Sequence, residues 1–288
     1  LRQPVYKSDI TESRIFVIQR LVQKHFYPTS HAHSEYQLFL TLQGSGARFI
    51  GDSINAFGPG ELTFIGPNIP HLWRSDPAYF EKKSRLKSTG IVIYFNRRFF
   101  DEHIASKEEM IALQNLLIRS QRGIDFYGVT RNAVSKMMKA LAAQKGIKSV
   151  VLLLQILDIL STSKDYHYIS STTYNKVPDR EESERVNLVY EYVLGNFRHK
   201  IRLSELAGIL CMTPTSFSRY FAGKHNKSFS SFVSEIRIQH ACRLLTETND
   251  SIADIAYECG FNTISNFNTQ FKKIVGSGPL RFRKEVVS

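Results

Sequence analysis

The sequence predicts a multidomain α+β protein: an N-terminal β-barrel followed by helices, then an all-α domain with two helix-turn-helix units. Three observations predict it. Residues 15–95 run in short apolar or alternating stretches punctuated by Gly and Pro, the pattern of an all-β barrel or sandwich. From about residue 107 the apolar residues take helical spacing instead. In the region 184–288 one helix-turn-helix pattern occurs twice, from Ser204 to Lys224 and from Ala253 to Lys273.

The candidate strands are Tyr36 to Leu42, Ala47 to Ile50, Glu61 to Ile65 and Gly90 to Phe95. Turns are expected at Gly44 to Gly46, at Gly51 and Asp52, and at Gly58 to Gly60, where glycine supplies a positive φ. Helices are expected over Lys107 to Arg119, Thr130 to Gln144 and Ser149 to Ser161, with Met137, Met138, Leu141 and Val150 to Leu154 prominent on their apolar stripes. The segment from Ser161 to Glu184 is polar, rich in Ser and Thr, and broken by Pro178, and reads as an interdomain linker. The last domain opens with a helix near Glu184 to Phe197. The expected divisions are therefore 1–105 for the barrel, 106–162 for a helical dimerisation segment, 163–183 for the linker and 184–288 for the helical domain.

The 288 residues leave room for two domains with their own cores. A net charge of +12 suits a polyanionic partner, but the charge is spread over both halves and does not locate a site. The three cysteines, Cys211, Cys242 and Cys259, are odd in number and widely spaced, which fits reduced thiols in a cytoplasmic protein better than a disulfide frame or a zinc knuckle. The most apolar stretch, Val150 to Leu160, is too short to span a bilayer and contains Gln155 and Asp158, so no membrane partner is expected. No secretory signal is visible, and a chain that begins at Leu1 is expected to have lost its native start.

In each copy of the repeated pattern a short helix with a small residue at its packing point, Ala207 or Ala256, enters a tight turn and then a second helix. That second helix carries two Phe four residues apart, Phe217 and Phe221 or Phe267 and Phe271. Such a pair packs one face inward and frees the other for a DNA major groove. Thr213 is suited to cap the first recognition helix and Pro214 to its first turn; Gly260 suits the second turn, with Asn262 or Thr263 as cap. A helix from about Ser228 to Glu247 joins the units and would be roughly 30 Å long at 1.5 Å per residue. Successive major-groove faces lie about 34 Å apart, so such a spacer could hold both readers on one side of a duplex.

These residues carry a resemblance. Leu203 to Ala207, Thr213 to Phe221, Ile236 to Leu245, Ile252 to Phe261, Asn266 to Lys273 and the closing Gly276, Pro279, Phe282 and Arg283 fall in the order of the DNA-binding domain of the AraC/XylS family of transcription regulators. The chain departs from the pattern at Cys211, where a turn glycine is usual, and at Thr269, where many members have Arg. The resemblance implies a base-reading face of Thr215, Ser216, Ser218 and Arg219 on the first helix and of Ile264, Ser265, Asn268 and Thr269 on the second. Arg219 has the chemistry for guanine, Asn268 for adenine and Ile264 for a thymine methyl. Lys224, Lys272, Lys273 and Arg283 are assigned to phosphates.

In the N-terminal half, His31, His33 and Gln37 stand at the spacing of the first cupin-barrel motif, whose last polar position is usually Glu, and Gly60 to His71 resembles the second, with Asn68 in place of a glycine. Alternation puts His31, His33, Glu35 and Gln37 on one face. Three imidazoles and an amide could hold Fe, Mn, Ni or Zn, or could line an effector pocket without metal; Gln brings no negative charge, and regulators of the AraC type, which resemble this layout, generally bind sugars or other metabolites without metal. We therefore expect no cofactor or metal, no catalytic residue, and an effector site at His31, His33, Gln37, Arg48, His71 and Trp73, with Arg74, Tyr36 and Phe39 as further candidates. The resemblance implies a cytoplasmic regulator with double-stranded DNA and a small-molecule effector as partners, a homodimer through the helices of 106–162, and contact with RNA polymerase if it activates. The alternative is a cupin metalloenzyme, a dioxygenase or isomerase, with an appended DNA-binding domain.

Overall fold

A period of two in the barrel strands decides what lies inside the N-terminal unit and what lies outside. In the computed structural model the described residues are 14–26, 29–96, 99–100, 104, 106–173 and 180–287. They divide into a first unit of residues 1–53 and 57–178 and a second of 179–288 with 54–56. The strands, which belong to the first unit apart from residues 54–56 of β4, are β1 (Phe16–Gln23), β2 (Tyr36–Gln43), β3 (Gly46–Ile50), β4 (Ser53–Phe57), β5 (Leu62–Ile65), β6 (His71–Ser75), β7 (Ser88–Phe95), β8 (Ile124–Phe126) and β9 (Tyr166–Tyr168). They form a six-stranded sheet in the order β1-β7-β2-β5-β8-β9 and a three-stranded sheet in the order β4-β3-β6.

One set of alternate residues fills the space between the sheets. Phe39 of β2, Ile65 of β5 and Val92 of β7 meet Ile50 of β3, Phe57 of β4 and Trp73 of β6 in one cluster. The other set, Tyr36, Leu38, Leu40, Leu62, Phe64, Ile91, Ile93, Phe95, Ile124 and Phe126, faces outward and is covered by three helices. These are α1 (Ile111–Arg119), α2 (Gly128–Leu141) and α3 (Ile147–Thr162). Each supplies a stripe at helical spacing: Leu113 and Leu116; Val134, Met138 and Leu141; Leu153, Ile156, Leu157 and Leu160. Each such side chain gains about 1.5–3 kcal/mol on burial, so the six-stranded sheet is apolar on both faces and β2 is buried along most of its length.

Two expectations change here. The apolar stripes of the helices expected to form a dimer surface are mostly consumed by the barrel's outer face; what remains exposed on α3 is Ile147, Val151 and Leu154, at i, i+4 and i+7. The polar segment expected to be a linker from residue 163 is also partly folded into the first unit. β9 pairs with β8, and buried Ser170 donates to Asp52 at 2.6 Å, with the Ser171 backbone N–H donating to the same carboxylate at 3.0 Å. A three-residue edge strand needs backbone partners more than apolar side chains, so composition hid it. Pro178 and its neighbours 174–179 lie outside the described residues, as do residues 1–13.

The second unit is helical: α4 (Arg180–Asn196), α5 (Leu203–Ile209), α6 (Pro214–His225), α7 (Phe229–Glu247), α8 (Ile252–Glu258), α9 (Ile264–Val275) and α10 (Pro279–Val287). Four of these helices begin on a hydroxyl that accepts a backbone N–H three residues on: Thr213 from Ser216, Ser228 from Ser231, Ser251 from Asp254 and Thr263 from Asn266. The long α7 belongs to two cores. Its first turns place Phe229 and Phe232 against Phe217 and Phe221 of α6, and its later turns place Ile238, Ala241 and Leu245 against Phe267 and Phe271 of α9.

Candidate nucleic-acid interface and ligand cavity

The two helix-turn-helix units share one turn geometry. After α5 the Met212 N–H donates to Ala207 O at 2.7 Å and the Cys211 N–H to Gly208 O at 3.0 Å. After α8 the Phe261 N–H donates to Ala256 O at 3.1 Å and the Gly260 N–H to Tyr257 O at 2.9 Å. Both are the paired closure of a helix C-terminus that requires a left-handed residue, here Cys211 at φ 54° and Gly260 at φ 82°. The turn then delivers a capped helix whose inner face is a fully buried Phe pair, Phe217 and Phe221 or Phe267 and Phe271. The opposite face of each is exposed.

The first unit holds a cavity of about 70 Å³ between its sheets. At roughly 10–15 Å³ per water by this measure, that is space for several waters or one small metabolite. Phe26, Phe39, Trp73, Val92 and Leu21 give it apolar walls, and Gln19, Gln23, Gln37, His31, His71 and Tyr94 supply polar groups. Two of its buried polar atoms, His71 Nε2 and Trp73 Nε1, have no hydrogen-bond partner.

The three histidines come together because His31 and His71 bridge through their backbones, the N–H of each donating to the carbonyl of the other at 3.1 and 2.9 Å. His33 joins them from the approach to β2, and its ring lies 5.0 Å from that of His71. One ring nitrogen from each of the three lies within 4.8 Å of the others. Every Nδ1 faces a backbone carbonyl: Thr29 for His31 at 3.1 Å, Glu35 for His33 at 3.1 Å and Ile69 for His71 at 2.8 Å. His33 Nε2 lies 3.1 Å from the Gln37 side-chain amide. Burial pushes His31 down to about 4, against the Thr29 hydrogen bond; it also lowers His33, and it takes His71 well below the usual imidazole range with help from the neighbouring rings. All three are therefore neutral at pH 7.

Two stretches of the chain match known families. Residues 15–108 match the AraC-like ligand binding domain and residues 206–285 match the helix-turn-helix domain. The chain belongs to the AraC family of transcription regulators. Among its relatives is the bifunctional transcriptional activator/DNA repair enzyme AdaA of Bacillus subtilis, 36% identical over 39% of this chain and 52% of that protein. An HTH-type transcriptional regulator of Staphylococcus aureus is 32% identical over 41% of this chain and 16% of its own length. The solved C-terminal domain of AraT, a response regulator from Geobacillus stearothermophilus, aligns at 28% identity with a TM-score of 0.34, covering 37% of this chain and 88% of that one. The chain thus spans about half the length of the first of these relatives and far less of the second.

Within the AraC-type DNA-binding domain, Thr215, Ser218 and Arg219 are exposed on α6, and Ile264, Ser265, Asn268 and Thr269 on α9. Ser216 is half-buried and its hydroxyl accepts from Thr213 Oγ1 at 3.0 Å, which makes it part of the cap. The Thr269 hydroxyl turns back to donate to Ser265 O at 2.9 Å. Lys272 and Lys273 are exposed in the last turn of α9, whereas Lys224 forms an ion pair with Glu182. Arg283 is engaged elsewhere than expected: it donates to Leu245 O at 3.3 Å, in the last turn of α7, and to Asp250 O at 2.7 Å, in the loop that follows, fastening α10 to both. Carbonyls at a helix end lack partners of their own, which is why an arginine settles there.

In the AraC-like ligand domain the structure gathers His31, Gln37, His71, Trp73 and Phe39 at the cavity, with His33 beside them, and removes three candidates. Arg48 points inside the barrel but is fully buried in a fork on Asp125, with Nη1–Oδ1 at 2.6 Å and Nη2–Oδ2 also in contact, and donates to Thr63 at 2.6 Å. A buried guanidinium needs a carboxylate, and Asp125 on β8 answers that need. Tyr36 lies on the outward face of β2, stacked on Phe95 with centroids 5.2 Å apart, and Arg74 lies 5.4 Å over the Phe80 ring. Sequence reading missed Gln19, Leu21 and Gln23, whose alternation along β1 was the available signal, and Tyr94 of β7.

Proposed function

We propose that this AraC-family chain is a sequence-specific transcription regulator that grips double-stranded DNA with α6 and α9 and answers to a small-molecule effector in its barrel. The observation that carries the reading is the repeated turn: two helices, each capped at its start, each anchored by a buried Phe pair, each with an exposed polar face. The base-reading side chains are Thr215, Ser218 and Arg219 on α6 and Ile264, Ser265, Asn268 and Thr269 on α9, with Lys272 and Lys273 toward phosphates. The 19 residues of α7, roughly 28 Å at 1.5 Å each, suit readers placed in successive major grooves.

The effector is a sugar or related metabolite. Aromatic walls and a ring of amides favour an oxygen-rich molecule with one apolar face, and two unpaired buried polar atoms supply vacant hydrogen bonds. The exposed Ile147, Val151 and Leu154 stripe of α3 is the surface by which two copies associate, joining two DNA-binding domains and raising their effective concentration. RNA polymerase is a further partner where the regulator activates. No helix among the described residues is long and apolar enough to cross a membrane, and the place of action proposed is the cytoplasm.

Selection of a high-affinity site from random DNA, followed by comparison of that site with scrambled DNA at one salt concentration, tests the first half. A specificity ratio of 10³ or more is expected, and equal affinity would overturn it. A thermal-shift screen of the full chain against sugars and small acids tests the second half, because a ligand bound to the folded state raises its apparent stability. Failure of every such compound to stabilise the barrel would overturn it.

A further inference from the structure

We propose that Arg237 sets the spacing between the two reader helices, locking the first helix-turn-helix unit onto the second so that the protein accepts only one separation of its DNA half-sites. The proposal rests on the reading of α6 and α9 as paired readers and assigns the residue that fixes their geometry.

The readers are anchored in different cores. Phe217 and Phe221 of α6 pack on Phe229 and Phe232 in the first turns of α7, and Phe267 and Phe271 of α9 share a core with Ile238, Ala241 and Leu245. Helices of this length curve, so α7 alone leaves the angle between the two cores loosely set. Arg237 stands immediately before Ile238, where α7 passes from one core to the other.

From that point its side chain touches both units. Nε donates to Phe197 O and Nη2 to His199 O, each at 2.8 Å, while Cζ lies 5.6 Å over the Phe261 ring. Phe197 and His199 are in the turn after α4, and α4 belongs to the first unit: Tyr190 stacks on Phe232 with centroids 5.5 Å apart, and the Tyr192 hydroxyl donates to Glu205 of α5 at 2.6 Å. Phe261 follows the turn glycine of the second unit and is buried in that unit's core.

The junction is close as well as bonded. A Cβ on Gly260 would lie 2.6 Å from Phe197 O and 2.8 Å from Arg198 O, so the backbone after α4 rests directly on the second turn. The Phe197 ring meets His240 of α7 edge-on at 5.1 Å, and Arg198 pairs with Glu258 at the end of α8 at 3.5 Å. That ion pair is exposed and holds weakly. The Arg237 fork is half-buried, and two bonds from one planar group resist rotation as well as separation, which the single ammonium of a lysine does not.

The consequence lies on the DNA. One base pair more or less between the half-sites moves the second by about 3.4 Å along the duplex and roughly 35° around it. Readers locked together cannot follow that displacement, and readers joined by a bending helix can.

The test uses the full chain at one fixed salt concentration and the two-block site it selects. The same site is also prepared with one base pair inserted or deleted between the blocks, and with either block scrambled. Wild type should lose about tenfold or more in affinity on insertion or deletion. Arg237→Met keeps the aliphatic stem and removes both hydrogen bonds; it should bind the three spacings within about threefold of one another and hold each single-block site as tightly as wild type does. Urea melting checks that the variant folds, and Arg237→Lys, which keeps the charge without the fork, carries the same expectation if Arg237→Met does not. Undiminished spacing discrimination in the variant would overturn the lock, as would a uniform loss on every site with the spacing ratio kept. A wild type that selects no second block would strike the paired-reader reading itself, and the lock with it.

Discussion

Cys211 and Gly260 hold the same position in the two helix-turn-helix units, each with a left-handed backbone, at φ 54° and 82°, and each followed by a residue whose N–H reaches back to the packing alanine. Glycine takes that conformation freely, while an L-residue with a Cβ is disfavoured by roughly 1–2 kcal/mol. The first turn therefore carries strain that the second does not.

Cys211→Gly should stabilise the second unit by about 1 kcal/mol, read as a higher urea midpoint at unchanged slope. Gly260→Ala should destabilise it by about 2 kcal/mol or more, because the added carbon would lie 2.6 Å from Phe197 O and 2.8 Å from Arg198 O as well as in a strained conformation. No gain in stability from Cys211→Gly, or no loss from Gly260→Ala, would contradict the strain assigned to the first turn and its absence from the second.

Asp125→Asn should destabilise the first unit by about 3–5 kcal/mol, since it leaves the Arg48 guanidinium buried without its carboxylate. Burial alone would raise the Asp125 carboxyl, but the Arg48 charge with the His167, Arg48 and Thr63 hydrogen bonds brings it down to about 2. A depressed carboxylate stabilises the fold above its unfolded pKa near 3.8, and that stability is lost as pH falls toward 2. Wild type should lose more stability than Asp125→Asn between pH 4 and pH 2; parallel pH profiles would contradict the assignment.

Glu61 behaves in the opposite sense. Burial pushes its carboxyl up to about 7, with Arg48 opposing and the Asp125 charge assisting. Between about pH 4.5 and 7 the unfolded chain has released this proton and the folded chain retains it, so stability falls as pH rises through that window. Glu61→Gln should flatten that slope in a denaturation series, and an unaltered slope would rule out Glu61 as its source.

Why some of this was legible in the sequence and some was not follows from separation along the chain. The two reader helices announce themselves through Thr213 with Pro214, Thr263, and Phe pairs four residues apart, all local signals. The His31, His33 and Gln37 spacing is local too, and His71 fell to a second short motif. Arg48 was misassigned because its partner is 77 residues away on the three-residue β8, which no periodicity reveals. Tyr36 and Phe39 lie three apart on one strand and so face opposite ways, one to the helices and one to the cavity. Arg283 reads as a phosphate contact until the end of α7 is seen beneath it.

Leu154→Asp and Val151→Asp should dissociate the proposed dimer without lowering the melting temperature of the monomer, because both side chains are already exposed. Sedimentation equilibrium across a concentration series reads the result. A monomer in the unaltered chain, or a dimer indifferent to both substitutions, would remove α3 as the interface.

The central claim is that α6 and α9 read two neighbouring grooves at once. The most direct measurement is selection of binding sites from random DNA by the full chain and by Arg219→Ala and Asn268→Ala, at one fixed salt concentration. The account predicts two conserved blocks centred about one helical turn, 10–10.5 base pairs, apart, with each substitution costing about 1–3 kcal/mol and erasing preference in one block only. A single block, or variants that lose affinity uniformly on every sequence, would contradict it.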